Sequence, residues 1–245
     1  MDKRLQQIAE NFDNMKIGVD DKFHFSCKQC GKCCTDREDI LLSPHDLFRA
    51  AKKLNMTTDE FVKEYCDSYV GDTSKMVLVR LRPRGTIKRC PMLKDRKCSI
   101  HDVKPMVCAM FPIGRGFQLD PKKPSDEQIS VENIQFIFNG ATCGNKEEHT
   151  VREWFETFGI PIKDEIFVEW HKAISAIGEV TQYAEKTGTS EKLLNLIYTV
   201  IYGMMYIEYD TSQDFLPQFI RNRDKLLNLL HTMPGFSKRR NKDAK

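Results

Sequence analysis

The chain has 245 residues, of which 38 are basic and 35 acidic, for a formal charge of +3 at neutral pH. That length can bury a real core without staples and predicts one large domain or two closely packed ones. The near balance of charge excludes a dedicated nucleic-acid binder, which needs a basic face. The one basic cluster, Lys238-Arg239-Arg240 with Lys242 and Lys245, falls in 237–245 and reads as a solvated tail.

The N-terminal 22 residues hold Asp2, Arg4, Glu10, Asp13, Asp20 and Asp21 and no apolar run, so no signal peptide is expected. The most apolar stretch, Leu193 to Ile207, is broken by Asn195 and Gly203. A spanning helix needs about 20 apolar residues, so the stretch reads as a buried helix, with no membrane association. The expected location is cytoplasmic. Nine cysteines in a reducing compartment exclude a disulfide framework and point to metal or redox chemistry.

In chain order, a short amphipathic helix is expected around Leu5 to Phe12. Ser43 is suited to cap a helix that opens at Pro44 and sets Leu47, Ala50, Ala51 and Leu54 on one face. Thr57 or Thr58 caps a second, with Phe61, Val62 and Tyr65 on its face and Cys66 beside them. Met76 to Leu81 reads as a strand, Pro83-Arg84-Gly85 as a turn and Pro112 to Gly116 as a loop. Strands are expected at Phe117 to Leu119 and Ile129 to Phe138, around a polar turn at Asp120 to Asp126. Helices follow at 151–158, 164–187, 190–208 and 212–231, punctuated by Gly188 and Pro217. The fold class is α+β. A helix-rich cysteine-cluster domain with a small antiparallel sheet (22–145) precedes an α-helical C-terminal region (146–236).

The motif at the centre is Cys27-Lys-Gln-Cys30-Gly31-Lys-Cys33-Cys34. A Cys-x-x-Cys step turns two thiolates toward one ion, and Gly31 allows the positive φ that metal-binding knuckles use. Cys33 and Cys34 are adjacent and point apart, so they need not share an ion. Cys90, Cys98 and Cys108 form a second group and Cys143 stands alone beside Gly144. Pro105 is expected to open a short helical turn whose N–H groups favour a thiolate at Cys108. Eight thiolates fill two tetrahedral zinc sites, or one [4Fe–4S] cluster with ligands to spare. Cys66 reads as a small buried hydrophobe instead.

This string of motifs resembles the YkgJ-type cysteine-cluster family, the CxxCxxCC domain taken to chelate zinc or iron. The likeness rests on Cys-x-x-Cys-Gly-x-Cys-Cys, Cys-Pro-x-Leu before a Cys-x-Ile step, and Pro-x-x-Cys-x-x-Phe-Pro. It spans about Phe23 to Cys143 and includes Asp39-Ile-Leu-Leu-Ser-Pro-His-Asp46. The resemblance places chelating cysteines at Cys27, Cys30, Cys33, Cys34, Cys90, Cys98 and Cys108, with Cys143 as the last. The chain departs from the family in Lys104-Pro105 and Ala109, where arginines are usual, and in His101, where tyrosine is frequent.

His24 and His101 are candidate outer-sphere groups, whereas His45, His149, His171 and His231 read as surface residues. Tyr198, Tyr202, Tyr206 and Tyr209 mark a packing face, and Met92, Met106 and Met110 fill core. The functional reading is a metal-binding protein holding an iron–sulfur cluster, slightly preferred, or zinc, for redox, sensing or metal handling. One alternative is an enzyme, because the resemblance extends to flagellin lysine-N-methylase. Against it, no glycine-rich strand–loop–helix for S-adenosylmethionine and no Cys-x-x-x-Cys-x-x-Cys spacing is present. The other alternative is a zinc-stapled scaffold that binds a protein partner through its C-terminal helices.

Overall fold

The computed structural model describes residues 11–120, 122–141 and 143–232. Residues 11–15 are helical, and most of the helix expected at Leu5 to Phe12 lies outside the described residues, as does the basic tail. The chain forms two compact units. Within the described residues, one comprises the segment up to Leu41 together with Arg80–Val168; the other comprises Leu42–Val79 and everything from Glu169 onward. Residues 42–79, which in sequence stand between the two cysteine groups, therefore cluster with the C-terminal helices.

In chain order, β1 (Lys22–Ser26) leads into the first cysteine run, where Lys32–Cys34 form a 3-10 turn. β2 (Leu41–Leu42) precedes α1 (Pro44–Lys53), α2 (Thr58–Tyr65), β3 (Cys66–Val70) and β4 (Val77–Leu81). The hairpin β5 (Leu93–Lys94) and β6 (Lys97–Cys98) is followed by α3 (Met106–Met110), β7 (Ile113–Gly116) and α4 (Ser125–Gln128). Then come β8 (Gln135–Phe138), β9 (Asn145–Thr150), α5 (Val151–Glu156) and α6 (Glu165–Lys186). α7 (Glu191–Tyr202) runs into a π-turn at Gly203–Ile207, and α8 (Phe215–Thr232) closes the described chain. The class is α+β, with small sheets of order β1-β9, β2-β4-β3, β5-β6 and β7-β8 in place of the single one expected.

The helix starts follow their chemistry. Asp46 N–H donates to Ser43 Oγ at 3.1 Å and Ser43 N–H to the Asp46 carboxylate at 3.0 Å, a reciprocal cap with Pro44 in the first turn. Thr57 and Glu60 repeat the arrangement at α2. Cys66 is buried, 2% exposed, but as the first residue of β3 and not on a helical face. The expected loop at Pro112 to Gly116 is a strand: Ile113 to Gly116 pair antiparallel with Phe138 to Gln135. Two glycines and an arginine erase any period-2 pattern there, so only the partner strand reveals it. Phe117 to Leu119 is irregular, and the strand expected over Ile129 to Phe138 shortens to β8 behind a 3-10 turn at Val131–Asn133.

The first unit is built on Phe23, Phe25, Phe136, Val151, Trp154 and Phe155. Trp154 meets Phe25 edge-on at 5.4 Å between centroids, and Phe25 meets Phe111 the same way at 5.3 Å. The Trp154 indole donates to the Met110 carbonyl at 3.2 Å, so its polar edge is satisfied in the core. Cys27, Cys143 and Met106 pack against this aromatic cluster. In the second unit Leu47, Phe61, Ile177, Ile197, Tyr206 and Phe219 are buried, and the Tyr206 hydroxyl donates to the Val77 carbonyl at 3.2 Å. Tyr209 is buried too and Tyr198 donates to Glu185, as a packing face would have it. Among the described residues, no helix is long and apolar enough to cross a membrane.

Candidate metal centre

Pairing of β1 with β9 sets Ser26 opposite Asn145, so Cys27 just past β1 and Cys143 just before β9 leave the ribbon at the same end. Gly144 makes this possible. Its φ is +93°, and an added Cβ would lie 2.6 Å from the Phe25 ring and 2.9 Å from the Ser26 carbonyl oxygen. Beyond Cys27 the backbone turns sharply. Gln29 N–H donates to Cys27 Sγ at 3.4 Å, and Gly31 takes φ +74°, the left-handed turn expected after Cys30. Cys34 N–H then donates to the Gly31 carbonyl at 3.0 Å.

Backbone bonds bring the second group in. Cys90 N–H donates to the Cys34 carbonyl at 2.8 Å and Asp36 N–H to the Ile87 carbonyl at 3.0 Å, zipping the two segments together. Leu93 N–H reaches back to the Cys90 carbonyl at 3.1 Å, and the β5–β6 hairpin places Cys98 opposite Leu93. Cys108 sits in α3, its N–H donating to the Pro105 carbonyl at 2.8 Å. All eight candidate cysteines thus belong to the first unit, whereas Cys66 belongs to the second.

The sulfurs lie within one electrostatic neighbourhood. Cys33 and Cys34 Sγ are 4.0 Å apart. Thiolate charge on Cys33 bears on Cys34, Cys90, Cys98, Cys108 and Cys143, and that on Cys27 bears on Cys98 and Cys143. Burial pushes the Cys90, Cys98 and Cys143 thiols up, and Cys108 up to about 12. The stabilised thiolate expected at Cys108 is therefore overturned for the metal-free chain: burial outweighs whatever a five-residue helix supplies. Cys30 and Cys33 are exposed and the other six are half-buried. The sulfurs are gathered without converging, since among the described residues no three His, Cys, Asp or Glu side chains stand close enough to hold an ion.

Cys33 and Cys34 titrate as a pair. The hydrogen bond from Cys34 brings Cys33 down from 9.0 to about 6, helped by Lys104 and Arg37, while the same contact raises Cys34. In chelator-stripped protein, iodoacetamide should alkylate Cys33 with a midpoint at about 6. A midpoint at the ordinary thiol value, or label landing first on Cys108, would contradict the pairing. Because the folded value is depressed, the stabilisation from Cys33 is full above 9.0 and is lost as pH falls through about 6. The raised thiols have the opposite sign and cost stability as pH rises past their unfolded value.

Two cations facing the sulfurs were not singled out as site residues in the sequence. Arg37 forks onto Asp39 at 2.6 and 3.3 Å and lies within reach of Cys33 and Cys108. Lys104 is buried, with its ammonium 4.1 Å from the centre of the Phe158 ring. The available signal was a basic residue and a proline set between two candidate ligands. Of the histidines, His24 lies in β1 opposite Glu148 and lines a depression beside Cys143 with Asn145 and Lys146. His101 buries its Nε2 with no hydrogen-bond partner among the described residues, and burial lowers its basicity. His45 packs on Phe215 at 4.8 Å and His149 on Trp154 at 5.6 Å, so neither is the plain surface residue expected.

Residues 26–137 match the family model CxxCxxCC, described as "Putative zinc- or iron-chelating domain". That segment is similar to the CxxCxxCC domain. The match covers a little under half of the chain, somewhat less than the Phe23 to Cys143 likeness read from the motifs. It contains Cys27, Cys30, Cys33, Cys34, Cys90, Cys98 and Cys108. Cys143 lies past its end and joins the others through the β1–β9 ribbon. No curated protein and no solved structure matches the chain.

Proposed function

We propose that Cys27, Cys30, Cys33, Cys34, Cys90, Cys98, Cys108 and Cys143 together bind zinc or an iron–sulfur cluster, in a cytoplasmic protein serving redox, sensing or metal handling. The observation behind this reading is the gathering of eight thiols from separate chain segments into one unit, around buried and half-buried cations. All-sulfur donors suit both metals. Eight thiolates match two tetrahedral zincs, or one [4Fe–4S] cluster with ligands for a second centre. A tight run of four cysteines that ends in a vicinal pair is awkward for two separate tetrahedral zincs, which tips the reading slightly toward iron–sulfur. An inorganic centre bound here would supply electron transfer or a labile metal. The protein's part is to hold the thiolates, with Cys27 and Cys143 backed by the aromatic core and Cys30 and Cys33 facing solvent.

Anaerobic purification followed by elemental analysis and visible absorption tests this. Iron with broad thiolate-to-iron absorption supports the cluster, and colourless protein with stoichiometric zinc supports the zinc form. Protein that takes up neither metal, even after reconstitution, overturns both.

A further inference from the structure

Lys104 presents a physical problem. Its side chain sits at 6% exposure between the 3-10 turn His101–Val103 and α3, and lysines are seldom buried without a paired charge. Among the described residues no carboxylate pairs with it; the contact of its ammonium is the Phe158 ring, at 4.1 Å. That ring stands edge-on to Trp154 at 5.3 Å, so the ammonium rests on the aromatic core that also backs Cys27 and Cys143. A ring face offsets part of the cost of burying a cation, but not all of it. The anions within its reach are sulfurs from three segments: Cys33, Cys98 and Cys108.

We propose that Lys104 is the built-in counter-charge of the sulfur centre, a buried ammonium whose cost is offset in full only when all the surrounding thiolates are held ionised by bound metal. The inference rests on the metal-binding reading above and adds to it the residue that balances the charge. Each divalent ion held by four thiolates leaves a net charge of −2 on its site, so a centre of this kind gathers negative charge in a partly desolvated place. Arg37 already shares its charge with Asp39, and Lys32, exposed beside Cys143, is screened by water. Lys104 is buried and, among the described residues, without a carboxylate, so its field acts where screening is weakest. Metal and lysine then stabilise each other: thiolates repay the burial of the ammonium, and the ammonium lowers the cost of ionising the thiols.

The test compares full-length wild type with Lys104→Met, Lys104→Gln and Lys104→Arg, using zinc in competition with a chelator across pH. The two neutral variants should bind zinc roughly tenfold more weakly, the usual scale for outer-shell partners, and release it at higher pH. Lys104→Arg should restore most of the loss. Melting adds a readout that packing alone would not produce. Without metal, where most of the neighbouring thiols are neutral, Lys104→Met should change melting little; with zinc it should melt distinctly lower. Equal zinc affinity in wild type and both neutral variants, or the same melting shift with and without zinc, would overturn the counter-charge role. Wild type that binds no zinc, and no iron when reconstituted with iron and sulfide, would instead remove the metal reading beneath it.

Discussion

Replacing Cys34 with serine is expected to empty the centre and loosen the first unit, while Cys66→Ala keeps its full complement of metal. Four thiolates holding one structural zinc contribute roughly 10–16 kcal/mol of apparent binding free energy. Losing one sulfur should therefore weaken binding by at least about a hundredfold, at about 1.4 kcal/mol per factor of ten. Cys34 is well placed for a large effect. Its carbonyl accepts the Cys90 N–H, so it joins the two cysteine groups through backbone as well as sulfur. Cys27→Ser should behave alike, because Cys27 leaves the ribbon beside Cys143 and packs on the aromatic core. Cys66 is buried in the other unit and should cost only the modest stability of a lost thiol. Elemental analysis of the three variants decides the matter: equal metal content in all of them would sink the ligand assignment.

Gly144→Ala is the second large effect expected. The substitution forces a Cβ to within 2.6 Å of the Phe25 ring and 2.9 Å of the Ser26 carbonyl, at a φ of +93°. A ring inside a packed core and a backbone oxygen inside a ribbon cannot both withdraw, so a loss of about 2–4 kcal/mol is expected from clash plus left-handed strain. Gly140→Ala supplies the comparison. Its φ is +70° with nothing within 4 Å of the added atom, so only the strain of about 1–2 kcal/mol applies. Chemical denaturation of both variants separates clash from strain. Metal uptake by Gly144→Ala then reports whether prying the ribbon apart also draws Cys143 from Cys27. Equal destabilisation by the two substitutions would show that the close approach at Gly144 does not matter.

Much of this molecule was legible in local chemistry. Ser43 and Pro44 announced α1, Thr57 announced α2, and the long C-terminal helices declared themselves by apolar period. Four cysteines in eight residues, with Gly31 behind Cys30, pointed to the candidate metal centre and to the family model that matches residues 26–137. These features are short-range: a cap, a turn and a helical face each depend on residues three or four positions apart.

What tertiary structure alone decided is long-range. Ile113 to Gly116 becomes a strand because Gln135 to Phe138 supplies its partner, and nothing in its own glycine-rich sequence says so. The β1–β9 ribbon joins residues more than a hundred positions apart, and only through it does Cys143 reach the first group. Residues 42–79 leave the cysteine-bearing stretch to cluster with distant helices. The burial of Lys104 has the same origin, since its ring and its sulfur neighbours come from separate segments. Residue type and spacing determine what a side chain can do chemically; which charges and sulfurs share a low-dielectric space depends on packing, which no local pattern encodes.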